Sequence, residues 1–408
     1  AGCRVHVPGW HEATKALQKE GKVQMVGILQ EQHPERARLF MQWKQMGWPL
    51  LVDSLNLLEV PYVPITLLLD EHGVVRQIQP PRQQAGHLEE NFLSKTFEKP
   101  ADWTSAKTEK PDLAALRAAT RANTAEAWGA YGNAAALWGG AAQASEAIRA
   151  YRRALQLEPA DGWTLFRLGV AYRLRYDSGR RLADDFQRAV DHWKQALDTD
   201  PNQYIWRRRI QQYGPRLAKP YPFYDWVRRA RQAIAARGET PVELRVEPGG
   251  AELARPARSF TTSPAQQEPD AQGRIYRDER AFVEVETTVV PGTVAPGEAA
   301  RVHVAFRPNL GIKAHWNNEV DDLVFWVNPP AGWQVDAREQ RVANPPQVVS
   351  QETRKVEFEV HCPPEAAAGT VAIPGYALYY VCEDVNGTCL YRRQDVALQV
   401  SVAEKGSR

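Results

Sequence analysis

The residues best able to do chemistry are four cysteines in a chain of 408 residues: Cys3 at one end, and Cys362, Cys382 and Cys389 at the other. A thiolate attacks disulfides and two thiols can pair, so separated cysteines suggest thiol chemistry at two places. Cys3 opens a stretch that reads as a redox fold. Cys382 and Cys389 bracket a short turn between two strand-like runs, 376–381 and 390–393. A scaffold stapled by disulfides needs a dense framework, and four cysteines in so long a chain exclude that class.

The remaining reactive side chains carry less. Cys3, His6 and His11 could be argued as a metal site, but no fourth ligand is evident and a turn would have to fold all three inward. His33, His72 and His87 sit in polar surroundings and read as surface residues. Cys362, between His361 and Pro363-Pro364, reads as a small buried apolar residue at a strand end. Trp316, Asn317, Asn318, Glu319, Asp321 and Asp322 form an acidic cluster beside an aromatic, most simply a solvated loop. The Asn386-Gly387-Thr388 sequon is explained equally well by a tight turn. No cofactor is implied.

Bulk properties limit the rest. The chain is long enough for roughly two to four domains, each with its own core. A hydrophobic content of 43% and a charged content of 25% are ordinary for globular protein. A net charge of +2 gives no electrostatic case for nucleic acid or an acidic membrane surface. No apolar run approaches the roughly 18 residues that span a bilayer. The chain begins Ala1-Gly2-Cys3 with no signal-peptide pattern, so an upstream piece is expected to carry any export signal.

Three regimes position these residues. Residues 1–100 alternate helix-like and strand-like stretches, the pattern of an α/β domain. Residues 22–29 and 65–70 read as buried strands, 35–46 as a helix, and Glu71-His72-Gly73 as a hairpin turn into 74–76. Residues 101–237 are helical and self-similar. Ala147, Tyr151, Ala154 and Pro159 are spaced 4, 3 and 5 apart, and Ala189, Trp193, Ala196 and Pro201 repeat that spacing. Leu165, Leu168, Gly169 and Tyr172 lie between them, an earlier helix runs over 128–138, and 204–234 reads as a further helical pair or cap. This is the signature of the tetratricopeptide repeat, in which small residues admit a second helix and aromatics fill the groove. Pro159 to Pro201 spans 42 residues rather than about 34, which predicts an insertion of 8 around 175–182. Residues 238–280 read as linker and first strands, with 259–272 a polar loop. Residues 281–403 carry period-two runs such as 301–306, 355–360 and 396–400, separated by Pro-Gly and Asn-Gly turns, an antiparallel β-sandwich. The fold class is multidomain: α/β, then all-α repeats, then all-β.

Both outer regions resemble redox families. Cys3-Arg4, Pro8 five positions after the cysteine, Val63-Pro64 and the strand-turn 67–73 resemble the thioredoxin superfamily, in particular its TlpA/ResA-like and redoxin branch. That resemblance implies a CxxC motif at a helix start, facing a cis-proline for which Pro64 is the match. By spacing to Pro8, Cys3 matches the second, resolving cysteine, and the first would lie just before Ala1. The alternative is a degenerate thioredoxin fold without redox chemistry. Gly311–Asn317 with its Trp316-Asn317 pair, and Tyr379-Tyr380-Val381-Cys382 through Cys389, resemble the amino-terminal immunoglobulin-like domain of DsbD-type thiol:disulfide interchange proteins. The resemblance implies that Cys382 and Cys389 form an electron-shuttling disulfide. A turn over 384–387 would bring them within bridging reach, with Cα atoms roughly 4.4–6.8 Å apart. The alternative is a plain stabilising disulfide.

Together these imply an extracytoplasmic thiol:disulfide oxidoreductase or electron relay, periplasmic or membrane-associated through a missing upstream segment. Cys3, Pro64, Cys382 and Cys389 would be its working residues, with the repeats as a docking region for protein partners. The competing expectation is a non-enzymatic scaffold.

Overall fold

The first helix, α1 (Gly2–Lys19), buries His6, Trp10, Thr14 and Leu17, one stripe at helical spacing. In the computed structural model, which describes residues 2–80, 88–104, 109–217, 223–253, 267–383 and 387–404, four short strands and a second helix follow. β1 (Gly27–Leu29) pairs in parallel with β2 (Leu50–Val52), across α2 (Pro34–Lys44). β3 (Leu67–Leu69) and β4 (Val75–Ile78) form an antiparallel hairpin. Asp70 ties its turn by accepting from the backbone N–H of His72 and Val74, and Gly73 supplies the positive φ of +78°.

The expected buried strands are shorter, and half of each is bare. Leu68 packs with Trp10, Leu17, Val23 and Met25 beneath α1. Leu67 and Leu69 point the other way and are 44% and 50% exposed, as Val26 and Ile28 are at 48% and 47%. An apolar run predicts burial on both faces, but among the described residues only the face of Leu68 packs beneath α1.

The helical portion begins with α3 (Leu113–Ala119) and α4 (Ala125–Trp138), capped by the Asp112 carboxylate and the Thr124 hydroxyl. α5 (Gly140–Leu157), α6 (Gly162–Tyr176) and α7 (Asp185–Thr199) follow. Two pairs of helices use the same device. A Cβ on Gly132 of α4 would stand 2.7 Å from the Tyr151 ring of α5, and one on Gly169 of α6 would stand 2.5 Å from the Trp193 ring of α7. Glycine on one helix is thus the socket for an aromatic on the next. Tyr151, Tyr172 and Trp193 are buried, as are Ala147, Ala154, Ala189 and Ala196. Residues 177–184 connect α6 to α7 where the insertion was expected. The segment is fastened by Arg175, whose Nη2 lies 2.6 Å from Asp185 Oδ1.

Of the expected terminal pair, α8 (Tyr204–Gln211) packs on α7 and α9 (Val227–Ala236) does not join the array. α9 instead packs on α2, with Trp43 and Trp226 stacked at 5.8 Å. Val227, Ala230 and Ile234 of α9 bury their stripe in that contact together with Trp226, the residue just before the helix.

Two sheets make up the rest, antiparallel except where the short run Thr293-Val294 pairs in parallel with Ser401-Val402. One has the order β10 (Gln334–Val335), β13 (Arg354–His361), β7 (Ala299–Pro308), β5 (Val283–Val290). The other has the order β11 (Glu339–Val342), β9 (Leu323–Val327), β14 (Gly369–Glu383), β15 (Cys389–Val402), β6 (Thr293–Val294). β8 (Ala314–Asn317) also pairs with β14, and β12 (Val349–Ser350) with β8. Period-two alternation sends Val302, Val304 and Phe306 of β7, and Val381 and Tyr379 of β14, into one shared core with Trp316, Phe325 and Phe358. A second cluster, Val324, Trp326, Tyr376 and Leu378, lies on the opposite face of the larger sheet, against Ile275. The described parts of 238–280 contain no named strand, only a single bridge from Arg277 to Arg393. The expected polar loop falls partly outside the described residues, as does most of the turn over 384–387.

Buried polar contacts pin the portions together. Arg36 of α2 reaches Glu252 at 2.7 Å, both side chains being almost wholly buried. Arg216 bridges Glu359 at 2.6 Å and Asp336 at 2.7 Å. Gln187 of α7 pairs with the backbone of Val289, and His303 Nε2 lies 2.8 Å from the Tyr213 carbonyl oxygen. The layout is a mixed α/β one in several portions, and no helix among the described residues is long and apolar enough to cross a membrane.

Candidate thiol sites

Cys382 and Cys389 are the last paired residues of the β14–β15 ladder, at the end where the chain passes from one strand to the next. They form a disulfide, with Cα atoms 4.0 Å apart. That is nearer than the expected range. The Glu383 N–H donates to the Thr388 carbonyl, so the next pair, 382 with 389, falls at a closely spaced non-hydrogen-bonded position. The two residues are unequally placed: Cys382 is buried at 2% exposure, whereas Cys389 is exposed.

Alternation fixes the neighbours. Val381 and Trp316 face the shared core, so Cys382, its β15 partner Cys389 and its β8 partner His315 share the opposite face. Two residues along that face, Tyr380 and Tyr391 stack with ring centroids 4.4 Å apart. Sequence reasoning missed His315 and this tyrosine pair. The alternation of His315 with Trp316 was readable, but the pairing of β8 with β14 links positions 67 apart (382 − 315) and has no local signal.

Cys3 lies in the first turn of α1. A Cβ on Gly2 would lie 3.7 Å from Pro64 Cδ, so this turn abuts Pro64, and the Val63–Pro64 peptide is cis. Tyr204 at the start of α8 is near enough to Cys3 to feel its charge. Burial pushes the Cys3 thiol up from its ordinary pKa, outweighing a backbone hydrogen bond that pulls it down. A protonated thiol is a poor nucleophile, so the helix start does not make Cys3 an attacking thiolate. The structure brings Cys3 to Pro64 and Cys382 to Cys389, and leaves both Cys3 and Cys362 unpaired as thiols.

The other candidates fall into place as structural groups. His6 bonds Thr66 Oγ1 at 2.6 Å and His11 Nδ1 accepts from Trp48, so neither points at a common centre with Cys3. Among the described residues no group of three or more His, Cys, Asp or Glu is placed to hold a metal. His33 corrects the surface reading: it is 5% exposed, bonds the Tyr213 hydroxyl at 2.7 Å, and lies among Arg173, Arg36 and Arg209. Burial first, and those cations next, hold its pKa well below the usual value. His72 is partly buried against Trp103, and His87 lies outside the described residues. Cys362 is fully buried in the shared core. Trp316 belongs to that core rather than to a solvated loop, and its indole N–H donates to the Glu352 carbonyl.

No protein-family model matches the chain, and no curated protein matches it. Among solved structures, a protein of unknown function from Porphyromonas gingivalis W83 is 14% identical over 31% of this chain and 49% of its own, with a TM-score of 0.20. The chain thus spans about half the length of that protein. AvmM, which catalyses macrocyclization in alchivemycin A biosynthesis, is 15% identical over 33% of this chain and 98% of its own, also at 0.20. The sporulation control protein Spo0M from Bacillus subtilis is 12% identical over 30% and 50%, at 0.18. Likeness this slight decides neither fold nor activity.

Proposed function

We propose that the chain is a thiol:disulfide exchange or electron-relay protein working outside the cytoplasm, with the Cys382–Cys389 pair as its redox centre. In this reading residues 1–100 form a thioredoxin-like domain, 101–237 a tetratricopeptide-type docking region for protein partners, and 281–403 a sandwich like the DsbD amino-terminal domain. One observation carries the reading: the disulfide joins an exposed residue, Cys389, to a buried one, Cys382. An exchangeable bond needs one reachable sulfur, and a purely structural bond needs none. A persistent disulfide also suits an oxidising compartment. Cys3 would serve as a resolving thiol once deprotonated, and its raised pKa makes it slow in that step.

The test is reduction of the native chain by dithiothreitol, with thiols counted before and after unfolding. Rapid appearance of two thiols without unfolding supports exchange. A bond that opens only on denaturation overturns it and leaves the second reading, a non-enzymatic scaffold. What favours that second reading is Cys3 itself, unpaired and with its thiol pKa raised.

A further inference from the structure

Resting on the exchange reading, we propose that the open edge of β15 at Cys389–Tyr391 is the docking strip for an extended, cysteine-bearing segment of a partner protein, which pairs there as an added strand and attacks Cys389. β15 pairs with β14 along one edge over its length. On the other edge, Arg393 is already engaged by the chain's own 276–278 segment. The Arg393 N–H donates to the Tyr276 carbonyl, and the Asp278 N–H donates to the Arg393 carbonyl, each at 2.9 Å. These bonds show which way residue 393 faces. Alternation then turns the backbone groups of Tyr391 and Cys389 to the same outer edge. Among the described residues the bridge to this segment is at Arg393 alone, and the Ile275 side chain packs on the face of the sheet against the Trp326 cluster. Among the described residues the only partner found for these groups is the Arg392 guanidinium, on the Tyr391 carbonyl. The strip therefore continues a strand addition that the chain has itself begun.

The disulfide identifies the occupant. Displacement at sulfur proceeds in line, the incoming thiolate opposite the departing sulfur. The Cys382–Cys389 bond runs across the sheet, from β14 to β15. A residue on an added strand opposite Cys389 lies on the side of Cys389 away from Cys382, about 4.8 Å further on, the spacing of adjacent strands, which is the side an in-line attack needs. The partner's thiolate forms a bond to Cys389 Sγ, the Cys382–Cys389 bond breaks, and the electron pair leaves on Cys382, which takes up a proton. A second thiol of the partner then displaces Cys389, so a dithiol is oxidised and this pair is reduced by two electrons. Strand addition holds the backbone and leaves specificity to alternate side chains.

The experiment uses three thiols on the intact chain. These are dithiothreitol, a seven-residue peptide of β-branched residues around a central cysteine, and the same peptide methylated on the backbone nitrogens two residues either side of the cysteine. The methylated peptide keeps its thiol but cannot pair. The expected result is that it opens the bond about tenfold more slowly than the unmethylated peptide, the effect of losing a backbone hydrogen bond or two. That ratio collapses towards one in Tyr391→Pro, which lacks the outward N–H. In a Cys382→Ala chain joined to the unmethylated peptide through Cys389, the amides of Cys389 and Tyr391 gain protection from hydrogen exchange. Equal rates for the two peptides, with the bond still opened by all three thiols, overturn the docking strip and leave the exchange reading standing. A native bond inert to all three overturns both.

Discussion

A single side chain shows its chemistry through what surrounds it, and Cys3 is the clearest case. Its pKa is raised by burial, so little thiolate exists at neutral pH. In a Cys362→Ala background, iodoacetamide should label Cys3 slowly at pH 7, and the rate should climb with pH to a midpoint above that of a free thiol. A midpoint at or below the ordinary value would restore Cys3 as an attacking group. Cys382 and Cys389 were legible because both lie beside one turn, where separation in sequence is nearly separation in space. His33 was not: its burial is made by Tyr213 and by arginines from three different helices, and its own neighbours in sequence are polar.

Among elements, the helical hairpins were the most legible, because their packing repeats. Ala147, Tyr151 and Ala154, and then Ala189, Trp193 and Ala196, mark buried stripes that the structure retains. Gly169 is the matching socket, and Gly169→Ala should test it. A methyl group there would meet the Trp193 ring at 2.5 Å and the Ala189 carbonyl oxygen at 2.9 Å, so one helix must shift. We expect a loss of about 1–3 kcal/mol in urea unfolding, despite the gain in helix propensity. A neutral or stabilising outcome would mean that the helices separate freely. The short strands of the first portion were less legible. Leu-rich runs state that a strand is apolar, but not which of its faces a helix will cover. The docking of α9 on α2 was equally silent, since an amphipathic stripe names no partner.

At the scale of the whole molecule, several contacts between portions are polar and buried, and titratable groups in and beside them make stability depend on pH. The pKa of His33 is lower folded than unfolded, so the unfolded chain binds its proton first. The stability this contributes is present above about pH 6.5 and drains away as pH falls below it. The Glu357 carboxyl is held well below the usual range by His303 and Arg301, against burial, which opposes this. Its contribution is present above about pH 4.3 and is lost on further acidification. Urea midpoints should therefore fall in two stages from pH 8 to pH 3, and His33→Gln should flatten the upper one. Removing a pin should be costly. Arg216→Ala leaves the buried Glu359 carboxylate with the backbone N–H of residue 216 at 2.9 Å and no guanidinium nearer than Arg301 at 3.9 Å, and should cost about 3 kcal/mol. An unchanged unfolding midpoint would show that the β portion is not held through this residue.

The bond between Cys382 and Cys389 closes a ring of only a few residues, since seven positions separate its ends. Polymer theory makes such a small ring a weak restraint on the unfolded chain, about 2.5 kcal/mol, little more than half of what a hundred-residue ring would supply. The long ladder that carries the bond, fourteen paired positions from Gly369–Val402 to Cys382–Cys389, does not depend on it for register. Cys382→Ser with Cys389→Ser should therefore lower stability by no more than about 2–3 kcal/mol and leave the far-ultraviolet spectrum unchanged. Strand pairing that does not need the cross-link would persist with the bond open, so opening it would cost stability without undoing the ladder.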